Sequence, residues 1–219
     1  YILYLQPAAK VAQQTICSAA VASGCEEPCL ISSGMLGLTT GQRAATKRTL
    51  IWLMFPVYFE RQLSKEIRAA ERKAGRTGIP ALFRLNGTSD IDWSNFIARH
   101  SGSDFYDYTK MLSRARKNTL PNYDITYSGS MYSVQSRSAL QKAVKGGLKT
   151  AIAVNTKLLA SDSPRLNALI GAGVSFDDTD LRPLDAAGTI GYLSRKGSNK
   201  ATRAADNATT DSFFVTTAN

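Results

Sequence analysis

Histidine is nearly absent from this chain: among 219 residues there is one, His100. That excludes any His-pair metal centre built within one chain, including the two-histidine metal site of HUH-type rolling-circle nucleases. A His-dependent hydrolase would rest on one side chain that stands before "SGSD", where a helix end is expected. Cysteine is almost as scarce, and an odd count of three builds no disulfide framework. Long apolar runs are missing too. The most apolar one, "TLIWLMFPVYF", is about half the roughly 20 residues a membrane helix needs, and Pro56 interrupts it. The opening "YILYLQPAAK" has neither the basic start nor the apolar stretch of a secretory signal. No Walker A sequence occurs; the nearest glycine-rich stretch, "GAGVSF", runs into a strand and not into a helix.

These absences point to a reducing, cytosolic setting, which makes the sequons at Asn86 and Asn207 coincidental, since glycosylation needs secretion. The chain begins at Tyr1 with no initiator methionine, which suggests an N-terminal piece that is missing or was removed. What the chain does have is positive charge and enough apolar material for a core. Lys and Arg number 27 against 17 Asp and Glu, a formal charge of +10, and 43% of residues are hydrophobic. A surplus of that size steers association with anions such as nucleotides, DNA, RNA or anionic surfaces. Basic stretches such as "KMLSRARKN" and "SRKGSNKATR" suit phosphate contacts, although a solvated face is their default reading.

The pattern along the chain is strand then helix, repeated. "ALFRL" (81–85), "SDFYDY" (103–108), "NYDITYS" (122–128) and "KTAIAVN" (149–155) read as short buried strands. "WSNFIARH", "TKMLSRARKN" and "SRSALQKAVKGG" between them read as helices. Such alternation predicts an α/β protein with a mainly parallel sheet, as a partial or complete (β/α) barrel in one domain. Upstream, "PVYFERQLSKEIRAAERKAG" is the strongest helix, with Pro56 in its first turn, Phe59, Leu63, Ile67, Ala70 and Ala74 as a core stripe, and Gly75 as its expected stop. "GQRAATKRTLIWLMF" is a second helix and "YILYL" a first strand; "AGVSFDD", "AGTIGYLS" and a final "FFVTT" are further strands.

The apolar strands repeatedly finish in polar residues. Asn86, Thr88, Ser89 and Asp90 follow the first; Asp107, Tyr108 and Lys110 close the second; Thr126, Tyr127 and Ser128 close the third. Asn155 and Lys157 follow the fourth, and Asp177, Asp178 and Asp180 follow "VSF". Ligands of parallel α/β folds sit at the C-terminal ends of the strands, so this series predicts the rim of a site. All three cysteines, Cys17, Cys25 and Cys29, crowd into "CSAAVASGCEEPCL" on the loop that would leave the first strand. Three thiolates there can ligate three irons of a [4Fe–4S] cluster, or hold zinc with a fourth ligand such as His100 or a carboxylate. The alternative is a set of small buried residues or one disulfide pair.

The order "RLNGTSDI", "FYDYTK", "NYDITYS", "DDTDLRPLD" and "GYLSRKG", behind the three cysteines, resembles a family of bacteriophage-encoded proteins over residues 15 to 215. The resemblance implies a phage origin and a shared site at Arg84, Asn86, Thr88, Asp90, Asp107, Tyr108 and Lys110, more than it implies a reaction. A looser likeness is to radical S-adenosylmethionine enzymes, which also carry three cysteines after the first strand of a barrel, but with a different spacing. The leading expectation is therefore a protein of the host cytoplasm with a metal or iron–sulfur site on Cys17, Cys25 and Cys29 and a pocket for an anionic substrate. Arg84, Asn86, Thr88 and Ser128 would bind that substrate; Asp90, Asp107, Tyr108 and Lys110 would orient it or move protons. Competing expectations are a non-catalytic DNA- or RNA-binding protein, a Tyr106 or Tyr108 nucleophile, and a packaged virion component.

Overall fold

The computed structural model describes residues 1–7, 11, 13–26, 29–32, 34–154 and 173–194. Two helices come first, α1 (Thr39–Met54) and α2 (Pro56–Thr77). Then follow β1 (Leu82–Phe83), α3 (Ser94–Ala98), β2 (Asp104–Thr109), α4 (Leu112–Lys117), β3 (Tyr123–Gly129), α5 (Val134–Lys145) and β4 (Thr150–Val154). After residues that are not described come β5 (Val174–Ser175) and β6 (Ile190–Ser194). The six strands form one sheet in the order β1-β2-β3-β4-β6-β5, and every pairing is parallel. The expected mixed α/β architecture with a parallel sheet is what the chain adopts. Asn155, Lys157, "SRKGSNKATR" beyond Ser194 and "FFVTT" lie outside the described residues.

Strand alternation divides the sheet into two unlike faces. Phe83, Leu85, Phe105 and Tyr123 pack with Phe59, Leu63 and Ile67 of α2 and with Trp93 and Phe96. Tyr127, Ile152 and Tyr192 continue that apolar face against Ala115 of α4 and Leu140 and Ala143 of α5. The crossovers carrying α3, α4 and α5 thus all lie on one side, while the strand order steps evenly from β1 to β4. That stretch winds in one sense, as in the wall of a (β/α) barrel, and beyond it β6 inserts between β4 and β5. The other face carries Arg84, Tyr106, Tyr108, Asp124, Thr126 and Lys149.

Two elements differ from the sequence expectation. Gly75 does not stop α2; the helix runs to Thr77, and Gly78 takes the left-handed cap at φ 70° with its N–H on the Ala74 carbonyl. Gly75 has no positive φ and sits inside the helix, so the conformation and not the residue type decides the end. "YILYL" is no full strand either. It contributes one parallel bridge, Ile2 to Arg84, closed by Leu3 N–H on the Arg84 carbonyl (2.8 Å) and Arg84 N–H on the Tyr1 carbonyl (2.8 Å). The segment still runs beside β1 and parallel to it. Among the described residues, no helix is long and apolar enough to cross a membrane.

Candidate functional site

The loop that follows β1 is organised by one side chain. Asn86 Oδ1 accepts from Ser89 Oγ (2.8 Å) and Ile91 N (2.9 Å), and its Nδ2 donates to the Ile91 carbonyl (2.9 Å). Its amide is consumed in closing residues 86–91, so it shapes the site more than it offers groups to a ligand. The N-terminal segment lies against this loop: Gly87 N–H meets the Leu3 carbonyl (3.0 Å), Thr88 Oγ1 donates to the Leu5 carbonyl (2.6 Å) and Asp90 N–H to the Ile16 carbonyl (3.0 Å). A Cβ on Gly87 would stand 2.6 Å from the Leu3 carbonyl oxygen, so only glycine permits the approach. These contacts carry Ile16, and with it the cysteine loop, to the C-terminal ends of the strands. Cys17 Sγ then lies 3.7 Å from the Thr88 carbonyl.

The result is a cavity of about 380 Å³. Cys17, Cys25 and Cys29 line it from one side; Arg84, Asn86, Thr88 and Asp90 from the end of β1; Tyr108 and Lys110 from the end of β2. Ser128, Ala153, Leu193 and the Phe176–Asp180 stretch complete the wall. Ten of the eleven residues expected from sequence thus share one space. The exception is Asp107. It faces the helical layer, is 1% exposed, and accepts from Asn86 N (2.6 Å) and Tyr123 Oη (3.0 Å). Burial pushes its carboxyl up to about 7, with the Asn86 and Tyr123 hydrogen bonds and the Arg84 charge pulling the other way. It braces the floor of the loop and does not line the cavity.

The charged groups inside the cavity are paired in a definite way. Asp90 Oδ1 accepts from Arg114 (2.5 Å) and Thr109 Oγ1 (2.8 Å), and its Oδ2 from Lys110 N–H (2.9 Å). This carboxylate locks the β1 and β2 loops together. Lys110 Nζ donates to Ser128 Oγ at 3.0 Å and to its carbonyl at 3.3 Å. Burial pushes the Lys110 ammonium down, while Cys25, Asp90, Cys17 and Cys29 favour its charged form. Lys110 and the three cysteines line the same cavity. Arg84 meets Asp180 at 2.6 Å and lies over the Tyr108 ring, 4.6 Å from its centroid. Tyr106 and Tyr108 hydroxyls both donate to Asp180 (3.2 Å each). Burial, with the Asp180 charge, holds both phenols up, Tyr106 to about 12, so neither is poised as a nucleophile at neutral pH.

Several groups that sequence reasoning undervalued stand on the same face of the sheet. Asp180 was one of three acids in a run, yet it alone gathers Arg84, Tyr106 and Tyr108. Below it, Lys149 joins Asp124 (2.8 Å) and the Arg182 carbonyl (2.5 Å), and the 1%-exposed Arg182 stacks on Phe176 at 3.7 Å. The Phe176–Leu184 stretch therefore closes this face of the sheet. Arg114, expected as a phosphate contact, is committed to Asp90.

His100 is not available as a fourth metal ligand. Its ring nitrogens face the Phe96 carbonyl (2.8 Å) and Ser64 Oγ (3.0 Å), on the helical side of the sheet, and it stacks on Phe96. Among the described residues, no group of three or more His, Cys, Asp or Glu side chains stands in the tight arrangement that one metal ion needs. The three cysteines are not joined to one another as disulfides. All three line the same cavity.

No curated protein and no solved structure matches the chain, so the looser likeness to radical S-adenosylmethionine enzymes gains no support from that side. The family model for "Gene product 88" matches residues 2–210, which takes in the cysteine loop, every strand and the whole cavity. The chain belongs to this phage gene-product family.

Proposed function

We propose that the protein carries an iron–sulfur cluster on Cys17, Cys25 and Cys29 and uses the strand-end cavity beneath it to hold a small anionic ligand, such as a nucleotide. The observation that supports this most is the gathering of three cysteines, the only ones in the chain, with Lys110 in a single cavity. A cluster with three thiolate ligands keeps one iron open to a ligand. The chain's own groups supply the rest. Lys110 is a half-buried cation in the same cavity as the three cysteines and would offset the negative charge that deprotonated sulfur brings into a low-dielectric site. Arg84, held between Asp180 and the Tyr108 ring, is the guanidinium that would pair with a phosphate or carboxylate. Asp90 fixes the positions of Thr109 and Lys110, and Asn86 fixes the loop that Thr88 and Ser89 present.

The test is iron and acid-labile sulfide per chain after purification without oxygen, in the wild type and in Cys17→Ala, Cys25→Ala and Cys29→Ala. The reading expects iron and sulfide in near-equal amounts in the wild type and a large loss in each variant. Zinc without sulfide, or no metal after reconstitution, sinks it.

A further inference from the structure

The outward face of α2 carries a feature that the cavity does not use. Arg61, Lys65, Arg68, Arg72 and Arg76 follow one another at steps of four, three, four and four residues, so they stand in one row. All five are exposed, and among the described residues none is in a salt bridge. The row lies opposite the buried stripe Phe59, Leu63, Ile67 and Ala70, so it points straight into solvent. Of the three acids of the helix, Glu60 pairs with Arg99 (2.5 Å), Glu71 accepts from Ser103, and the exposed Glu66 is not three or four residues from any of the five cations. From Arg61 to Arg76 the row spans about 22 Å at 1.5 Å per residue. At its N-terminal end, Phe55 and Tyr58 are more than half exposed, at 57% and 58%.

We propose that this face binds single-stranded nucleic acid, its phosphates following the five cations and its bases stacking on Phe55 and Tyr58. A continuous basic track with aromatic platforms is how single strands are held without sequence readout. An anionic membrane fits less well, because an interfacial helix must lay its apolar face into the lipid, and here that face is buried in the core. The aromatic end also lies toward the cavity. Phe59 stacks on Trp93, just past the β1 loop, whereas Glu71 meets Ser103 at the start of β2. A strand held along α2 would therefore run toward the strand ends. The proposal does not depend on the cluster.

The experiment measures binding of fluorescent oligothymidylate and oligouridylate to the whole chain between 50 and 200 mM salt. Five phosphate contacts give a log–log salt slope of about −3.5 for a single strand, an affinity loss of about 100-fold over that range. The triple variant Arg61→Gln/Arg68→Gln/Arg72→Gln retains two cations and should fall to a slope of about −1.4, a loss of about 7-fold. The matching triple Arg→Lys variant should keep the wild-type slope. Phe55→Ala/Tyr58→Ala should lower affinity about 30-fold or more while leaving the slope unchanged. Iron content should stay at the wild-type level in all three, which separates this result from failure of the cluster reading. No binding to either oligonucleotide, a slope that survives the glutamine substitutions, or binding to phosphatidylserine vesicles alone would overturn the proposal.

Discussion

Asp107→Asn isolates the energetic consequence of a carboxyl buried on the wrong side of the sheet for chemistry. The aspartate is 1% exposed and its carboxyl is pushed up to about 7 from an ordinary value of 3.8. The sign follows from linkage. Between pH 4 and pH 7 the native state holds this proton and the unfolded state has released it, so stability falls as pH rises through that window and levels off above it. The full interval corresponds to about 4 kcal/mol at 1.36 kcal/mol per pH unit. Asparagine keeps the shape and the acceptor for Asn86 N–H, presents an amide to the Tyr123 oxygen, and does not titrate. Urea unfolding of both proteins from pH 4.5 to 7.5 supplies the assay. The stability of the variant relative to wild type should rise by several kcal/mol from the acid to the neutral end. Parallel pH profiles would show that Asp107 titrates as an ordinary surface aspartate and would refute the placement.

Arg114→Ala should destabilise the fold by about 3 kcal/mol or more, because it leaves the nearly buried Asp90 carboxylate without its ion pair, and combining it with Asp90→Asn should restore part of that loss in chemical unfolding. Gly87→Ala brings a Cβ to 2.6 Å from the Leu3 carbonyl oxygen. It should free the N-terminal segment, which hydrogen exchange at the Leu3 and Arg84 amides would report as lost protection. Gly191→Ala places a Cβ 2.1 Å from the Phe176 ring, so a cost of about 1 to 3 kcal/mol is expected, read as a lowered melting temperature, unless the Phe176 stretch moves away.

Much of the fold was legible because the sheet is parallel and central. Each strand carried apolar residues on its helix-facing side, and each crossover had to supply a helix to cover them, so two periodicities alternated in the sequence. The first segment was misread because an edge ribbon with one bridge carries the same β-favouring residues as a full strand. The site was legible as a set of positions and less so as a set of directions. "DFYDYTK" alternates, and Asp107 shares its parity with Phe105, a core residue; that alternation was the available signal that Asp107 faces the helices. The pairing of Asp180 with Arg84 is 96 residues apart and passes through an irregular stretch, so no local pattern announces it. Lys149 and Asp124 are likewise brought together by β3–β4 register, which propensity does not specify. The three cysteines were conspicuous from the start, and it is the hydrogen bonds from the β1 loop to residues 3, 5 and 16 that bring them to the cavity that Lys110 lines.

The most direct test of the account is electron paramagnetic resonance of the reduced protein, purified without oxygen, in the wild type and in Lys110→Met. The account predicts a cluster signal whose g-values change in the variant, because Lys110 shares the cavity with all three cysteines. A spectrum with no cluster signal after reconstitution, or a signal that Lys110→Met leaves untouched, would contradict a cluster seated in this cavity.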